Sequence, residues 1–119
     1  MIKTSYFARI KKSKKLQDRA VAICLYPPKG WTGPIAKELC PSKKLLEWWK
    51  NCEQTPLDVG TYSKRYYKET LNKLDPDEIY KKYNNKLLVC FESYDKFCHR
   101  HLVAEWLRKN GHKCNELIK

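Results

Sequence analysis

No apolar run in this 119-residue sequence approaches the roughly 20 residues a membrane-spanning helix needs, which excludes a helical span. The stretch from Met1 to Ala8 is too briefly apolar, and lacks a small-residue cleavage site, to read as a secretory signal. Those two absences lead us to expect a cytoplasmic protein with no membrane partner. Internal repeats and low-complexity tracts are also missing, which argues against solenoids and disordered tails. There is no C-x-x-C pair, which argues against a zinc knuckle or thioredoxin-type motif. G-x-G-x-x-G, the P-loop and the zinc-deaminase pattern are absent as well. The cysteine-phosphatase loop needs an arginine six residues after its cysteine. Cys98 is followed at that distance by Ala104 and Cys90 by Lys96. No familiar reaction template fits, and the sequence calls for no cofactor.

What is present is globular in composition, 42% hydrophobic and 32% charged, and long enough for one domain, residues 1–119, with one core. The charge is lopsided: 25 Lys and Arg against 13 Asp and Glu give a formal +12. Such a field attracts polyanions, so nucleic acid, a nucleotide or an acidic protein is the expected partner. A lysine-rich solvated surface would carry the same charge with no partner at all. Nothing in the residues sets an oligomeric state. The six cysteines, Cys24, Cys40, Cys52, Cys90, Cys98 and Cys114, are scattered over element-like segments. Without an export signal they read as free, mostly buried thiols. A mixed metal site drawn from Cys98, His99, His101, His112 and Cys114 is conceivable but weakly signalled, and no metal is expected.

Along the chain, Ile2 to Ala8 reads as a strand running into a basic loop from Arg9 to Lys15. Ala20–Leu25 is a continuous apolar run of strand length, stopped by Pro27-Pro28 and followed by an irregular loop to Pro34. Ser42 caps a helix carrying Leu45, Leu46, Trp49 and Cys52 on one side. Tyr62 to Leu74 repeats at helical spacing, and Asp75-Pro76-Asp77-Glu78 opens another helix. Leu87–Phe91 is a second buried strand. A turn from Glu92 to Phe97 leads to a helix from about Cys98 to Asn110 that Gly111 closes, and Cys114–Ile118 is a last, weak strand. Strands alternating with helices predict a small α/β fold with a mostly parallel sheet of three or four strands flanked by helices.

Parallel strands would bring the loops after Ala8, Leu25 and Phe91 to one sheet edge, where such folds place their sites. At 100° per residue, Leu102, Val103, Trp106 and Leu107 form the buried stripe of the last helix. His99 lies within that stripe and points inward, Cys98 and Arg100 lie at its edges, and His101 faces solvent. A thiol in a first helical turn beside His99 and Arg100 is placed to become a thiolate nucleophile. Glu92, at the strand exit, is expected to orient His99, to act as a base, or to pair with Arg100. The candidate catalytic residues are therefore Cys98, His99, Arg100 and Glu92. The candidate anion and ligand contacts are Arg9, Lys11, Lys29, Trp31, Tyr62 and Tyr66, with Trp31 and Tyr66 offering faces to a base. Arg100 is expected to be partly exposed, its guanidinium free to fork onto a phosphate. Each of these side chains could equally serve packing.

The run Leu87–Glu92 together with Phe97-Cys98-His99-Arg100-His101-Leu102-Val103 resembles the bacterial and phage family catalogued as domain of unknown function 488. The likeness extends to Thr4–Phe7, the loop through Pro28-Lys29-Gly30-Trp31, and Tyr62 with Tyr66. It implies a compact α/β fold with a shared site around Glu92, Cys98, His99 and Arg100, and supplies no reaction. Two functions follow as expectations. One is an enzyme acting on a phosphate-bearing or nucleic-acid substrate. The other is a non-catalytic basic module, a phage or defence-related factor binding nucleic acid or an acidic protein.

Overall fold

β1 (Ile2–Tyr6) lies inside a four-stranded sheet, with β3 (Leu87–Cys90) on one side and β4 (Cys114–Glu116) on the other. β2 (Ala20–Ala22) completes the order β2-β3-β1-β4, and every pairing is parallel. This computed structural model describes residues 1–93 and 95–117. The register sets Tyr6 beside Cys90 and Ala22 beside Val89, so β1, β2 and β3 end at one edge. Successive side chains of a strand face opposite ways. Leu87 and Val89 accordingly pack with Ile10 and Ala20, while Leu88 and Cys90 join Tyr66, Val103 and Leu107 on the other face.

Six α-helices surround the sheet among the described residues: α1 (Phe7–Ile10), α2 (Lys14–Arg19), α3 (Lys43–Asn51), α4 (Pro56–Glu69), α5 (Pro76–Lys82) and α6 (His99–Lys109). The expected small parallel α/β fold is what the chain adopts. α6 packs across β3, β1 and β4, with its Val103 and Leu107 fully buried. None of these helices is long and apolar enough to cross a membrane.

The details depart from the sequence reading in four places. β1 stops at Tyr6, and the expected basic loop is the helix pair α1–α2, the latter capped by Ser13 Oγ accepting from Leu16 N at 3.2 Å. α2 buries no residue, so no apolar stripe announced it. α4 begins at Pro56 rather than Tyr62, because Thr55 and Asp58 form a reciprocal capping box. β2 is shorter than the apolar run that encodes it, although Ile23 N still donates to Val89 O at 3.0 Å. The last strand ends at Glu116, and Ile118 lies outside the described residues.

Candidate functional site

The geometry of α6 begins with its cap. Cys98 is the N-cap residue, in extended conformation, and its side chain makes no capping hydrogen bond, so the sulfur is free to point elsewhere. Gly111, in the left-handed region at φ +85°, closes the far end as expected. His99 turns inward, 7% exposed, against the Tyr66 ring. Its Nε2 lies 2.5 Å from Ile23 O, and its Nδ1 lies 3.8 Å from Cys98 Sγ. A carbonyl only accepts, so Nε2 carries the proton and donates. The Nδ1 lone pair therefore faces the sulfur. Burial drives the His99 pKa down to about 4, the Ile23 carbonyl opposing and the Arg100 charge assisting, so the ring is neutral at physiological pH. The group that orients His99 is Ile23 O; the expected Glu92 carboxylate does not do so.

Arg100 corrects the expectation of a partly exposed anion fork. It is fully buried. Nε donates to Glu116 Oε1 at 3.1 Å and Nη2 to Oε2 at 2.9 Å, while Nη1 donates to Glu92 O at 2.6 Å and Cys90 Sγ at 3.1 Å. Its ionic partner is Glu116, brought alongside by β4; from Glu92 it takes only the backbone carbonyl. Such a guanidinium is charge-balanced and internally satisfied, and no face is left for a ligand. His101 also departs from expectation, being half-buried with an unpartnered, buried Nε2. Burial and the Arg100 charge lower its pKa.

Beside Cys98 and His99 a cavity of about 300 Å³ opens at the carboxyl edge of the sheet. Trp49, Tyr62 and Phe97 form its aromatic wall, Tyr62 edge-on to both of the others and Trp49 tilted against Phe97. Cys90, Cys98 and His99 line its inner end, and Glu92, Lys50 and Gln54 add polar groups. A recess of about 190 Å³ continues past Trp49, Glu92 and Phe97 to Lys96. Of the expected ligand contacts only Tyr62 lines the cavity. Tyr66 is fully buried with its hydroxyl donating to Leu39 O, so it offers no face to a base. Trp31 packs edge-on to Phe7, and Arg9, Lys11 and Lys29 lie outside the lining. The loop after β1 turns away into α1, and its cations go with it.

The thiols also need revising. Cys24, Cys40 and Cys114 are free and buried, with burial pushing their pKa values up to about 11, 12 and 11, and Cys52 is free and half-buried. Cys90 and Cys98 are the exception. Their sulfurs touch, as in a disulfide, while their Cα atoms stand 7.7 Å apart. Cys90 Sγ, Cys98 Sγ and a His99 ring nitrogen all lie within 4.8 Å of one another, and all three residues are buried. The expected mixed cluster does not assemble, for His112 pairs with Asp77 and the buried Cys114 lies in β4. The sequence reading missed Cys90, Trp49, Phe97, Lys50 and Glu116. Only Cys90 carried a usable signal, as a thiol at a strand's end eight residues before Cys98 of the Cys-His pair.

Fold and site together define a parallel α/β protein with a cysteine–histidine centre at the carboxyl edge of its sheet. The chain belongs to the DUF488 family: the family described as the active DUF488-N3 subclade, DUF488-N3a, matches residues 5–111. No curated protein and no solved structure matches it.

Proposed function

We propose that this protein is an enzyme that takes up one nucleotide unit, free or as part of a nucleic-acid strand, in the cavity beside Cys98 and His99. The observation that carries the reading is an aromatic wall that ends at the Cys98 and His99 side chains. Trp49, Tyr62 and Phe97 supply apolar ring surface, and Cys98 with His99 supplies sulfur and a lone-pair nitrogen at its end. A volume of about 300 Å³ accommodates a small planar ligand. A purine or pyrimidine suits such a wall because each face of the base stacks, at about 1–3 kcal/mol per base. Lys50 and the recess cation Lys96 supply the positive charge that a phosphate needs, replacing the fork first assigned to Arg100. The +12 charge raises the local concentration of such ligands.

Titration of the reduced protein with nucleoside monophosphates and with short single-stranded oligonucleotides, followed by tryptophan fluorescence, tests this reading. Saturable binding to either is expected, with Trp49→Ala weakening it about tenfold or more. Preference for the monomer over the oligonucleotide, or the reverse, identifies the source of the nucleotide. No saturable binding of either at low salt overturns the reading. The second reading, a non-catalytic basic module, rests on the net charge. It gains if a bound ligand is always recovered chemically unaltered.

A further inference from the structure

Cys90 has no part in the proposed function, yet the structure invests in its sulfur. The side chain is buried at the end of β3 and lines the inner end of the cavity. Arg100 Nη1 donates to Sγ at 3.1 Å, which fixes the direction of the sulfur. The Arg100 charge is already matched by Glu116 through two hydrogen bonds, so any further charge brought to the sulfur has to balance itself. The second sulfur, Cys98 Sγ, points at the first from a Cα 7.7 Å away. Relaxed disulfides span about 4.4–6.8 Å between Cα atoms, so this backbone separation is too wide for one. With the backbone this far apart, rotation of the two side chains separates the sulfurs and admits a third atom between them.

The histidine supplies the remaining clue. His99 donates its Nε2 proton to Ile23 O, which fixes the ring and turns the Nδ1 lone pair toward the sulfurs. That is the outer partner a metal-ligating imidazole usually has. Two sulfurs and one imidazole nitrogen, clustered within 4.8 Å and bordering a cavity, match a zinc site that keeps one position open.

We propose that Cys90 Sγ, Cys98 Sγ and His99 Nδ1 bind one zinc ion whose fourth position opens into the cavity. Binding displaces two thiol protons to solvent, so the dication meets two thiolates and the centre is neutral. The Arg100–Glu116 pair is neutral too, and the whole buried group balances. To hold the ion at about 2.3 Å from each sulfur, the two sulfurs move apart within a backbone already wide enough. What the open position does rests on the proposed function: a ligand in the cavity meets the ion, or a water molecule the ion activates. The capacity to bind the ion does not depend on that function.

The test is cobalt substitution of the full chain, purified under reducing conditions and stripped with a chelator. One equivalent of Co²⁺ is expected to give the thiolate-to-cobalt charge-transfer band and intense visible bands of a tetrahedral site, and Zn²⁺ is expected to erase them. Cys90→Ser is expected to weaken binding by at least about tenfold, while Cys52→Ser leaves it unchanged. Absence of these bands from the reduced wild-type protein, with its fold verified by circular dichroism, overturns the site. So does a Cys90→Ser protein that binds as wild type. Should Cys90→Ser fail to fold, the wild-type spectrum decides alone. Metal binding without nucleotide binding overturns the proposed function and leaves the zinc site standing. Nucleotide binding without metal does the reverse.

Discussion

Arg100 shows how one residue couples the sheet edge to the helix that covers it. Its three nitrogens reach Glu116 on β4, Glu92 O just past β3 and Cys90 Sγ at the end of β3, so a single guanidinium fastens three segments. Arg100→Leu strands a largely buried Glu116 carboxylate and is expected to cost about 3–5 kcal/mol in urea denaturation. Arg100→Lys keeps the charge without the fork and is expected to be destabilising as well. The double change Arg100→Leu with Glu116→Leu is expected to recover most of the loss, whereas pairing Arg100→Leu with Glu92→Leu is not. Equal recovery by the Glu92 partner would contradict this arrangement. Helical geometry alone set Arg100 at the edge of the buried stripe. Whether an edge residue is buried depended on Glu116, sixteen residues away on a weakly signalled strand. Position on α6 was legible, and burial was not. The inward turn of His99 was legible too, because it follows from the period of Leu102, Val103, Trp106 and Leu107.

At the level of elements, the signals that worked were those carried by a few neighbouring residues. Ser42, whose Oγ accepts from Leu45 N, opens α3, and Asp75 with Pro76 opens α5, as their sequences indicate. The capping box at Thr55 and Asp58 was equally local. It passed unnoticed because Gly60 and the exposed Leu57 blur the apolar period of the first turns of α4. Thr55→Ala is expected to cost about 1 kcal/mol by thermal melting, and no measurable change would contradict the box. Leu88→Ala, in the fully buried centre of β3, is expected to cost about 2–5 kcal/mol. α4 also places the Tyr62 and Tyr66 hydroxyls where burial raises both pKa values. A raised folded-state pKa means that the unfolded chain releases these protons first, above its usual value of about 10. Stability is therefore full below about pH 10 and falls as pH rises beyond it. Tyr66→Phe is expected to flatten that alkaline loss while lowering stability at neutral pH, since Leu39 O loses its donor. An alkaline profile identical to wild type would contradict the assignment.

For the whole molecule, the alternation of strand and helix was enough to give a parallel α/β fold, and parallel strands were enough to give the edge. The cavity itself was not legible. Its wall joins Trp49 of α3, Tyr62 of α4 and Phe97 before α6, residues brought together only by tertiary packing. The net charge speaks at this scale as well. Binding to single-stranded nucleic acid is expected to weaken with salt at a log–log slope of about −0.7 per neutralised phosphate. Lys50→Glu with Lys96→Glu is expected to lower affinity and slope more than Lys11→Glu with Lys12→Glu, because only the first pair borders the cavity and its recess. The central claim, that this cavity receives a nucleotide, is tested most directly by amide and indole chemical-shift mapping during a nucleoside monophosphate titration. The account predicts saturable shifts gathered at the Trp49 indole, Phe97, Cys98 and His99. Shifts scattered over the surface lysines, or confined to α1 and α2, would contradict it.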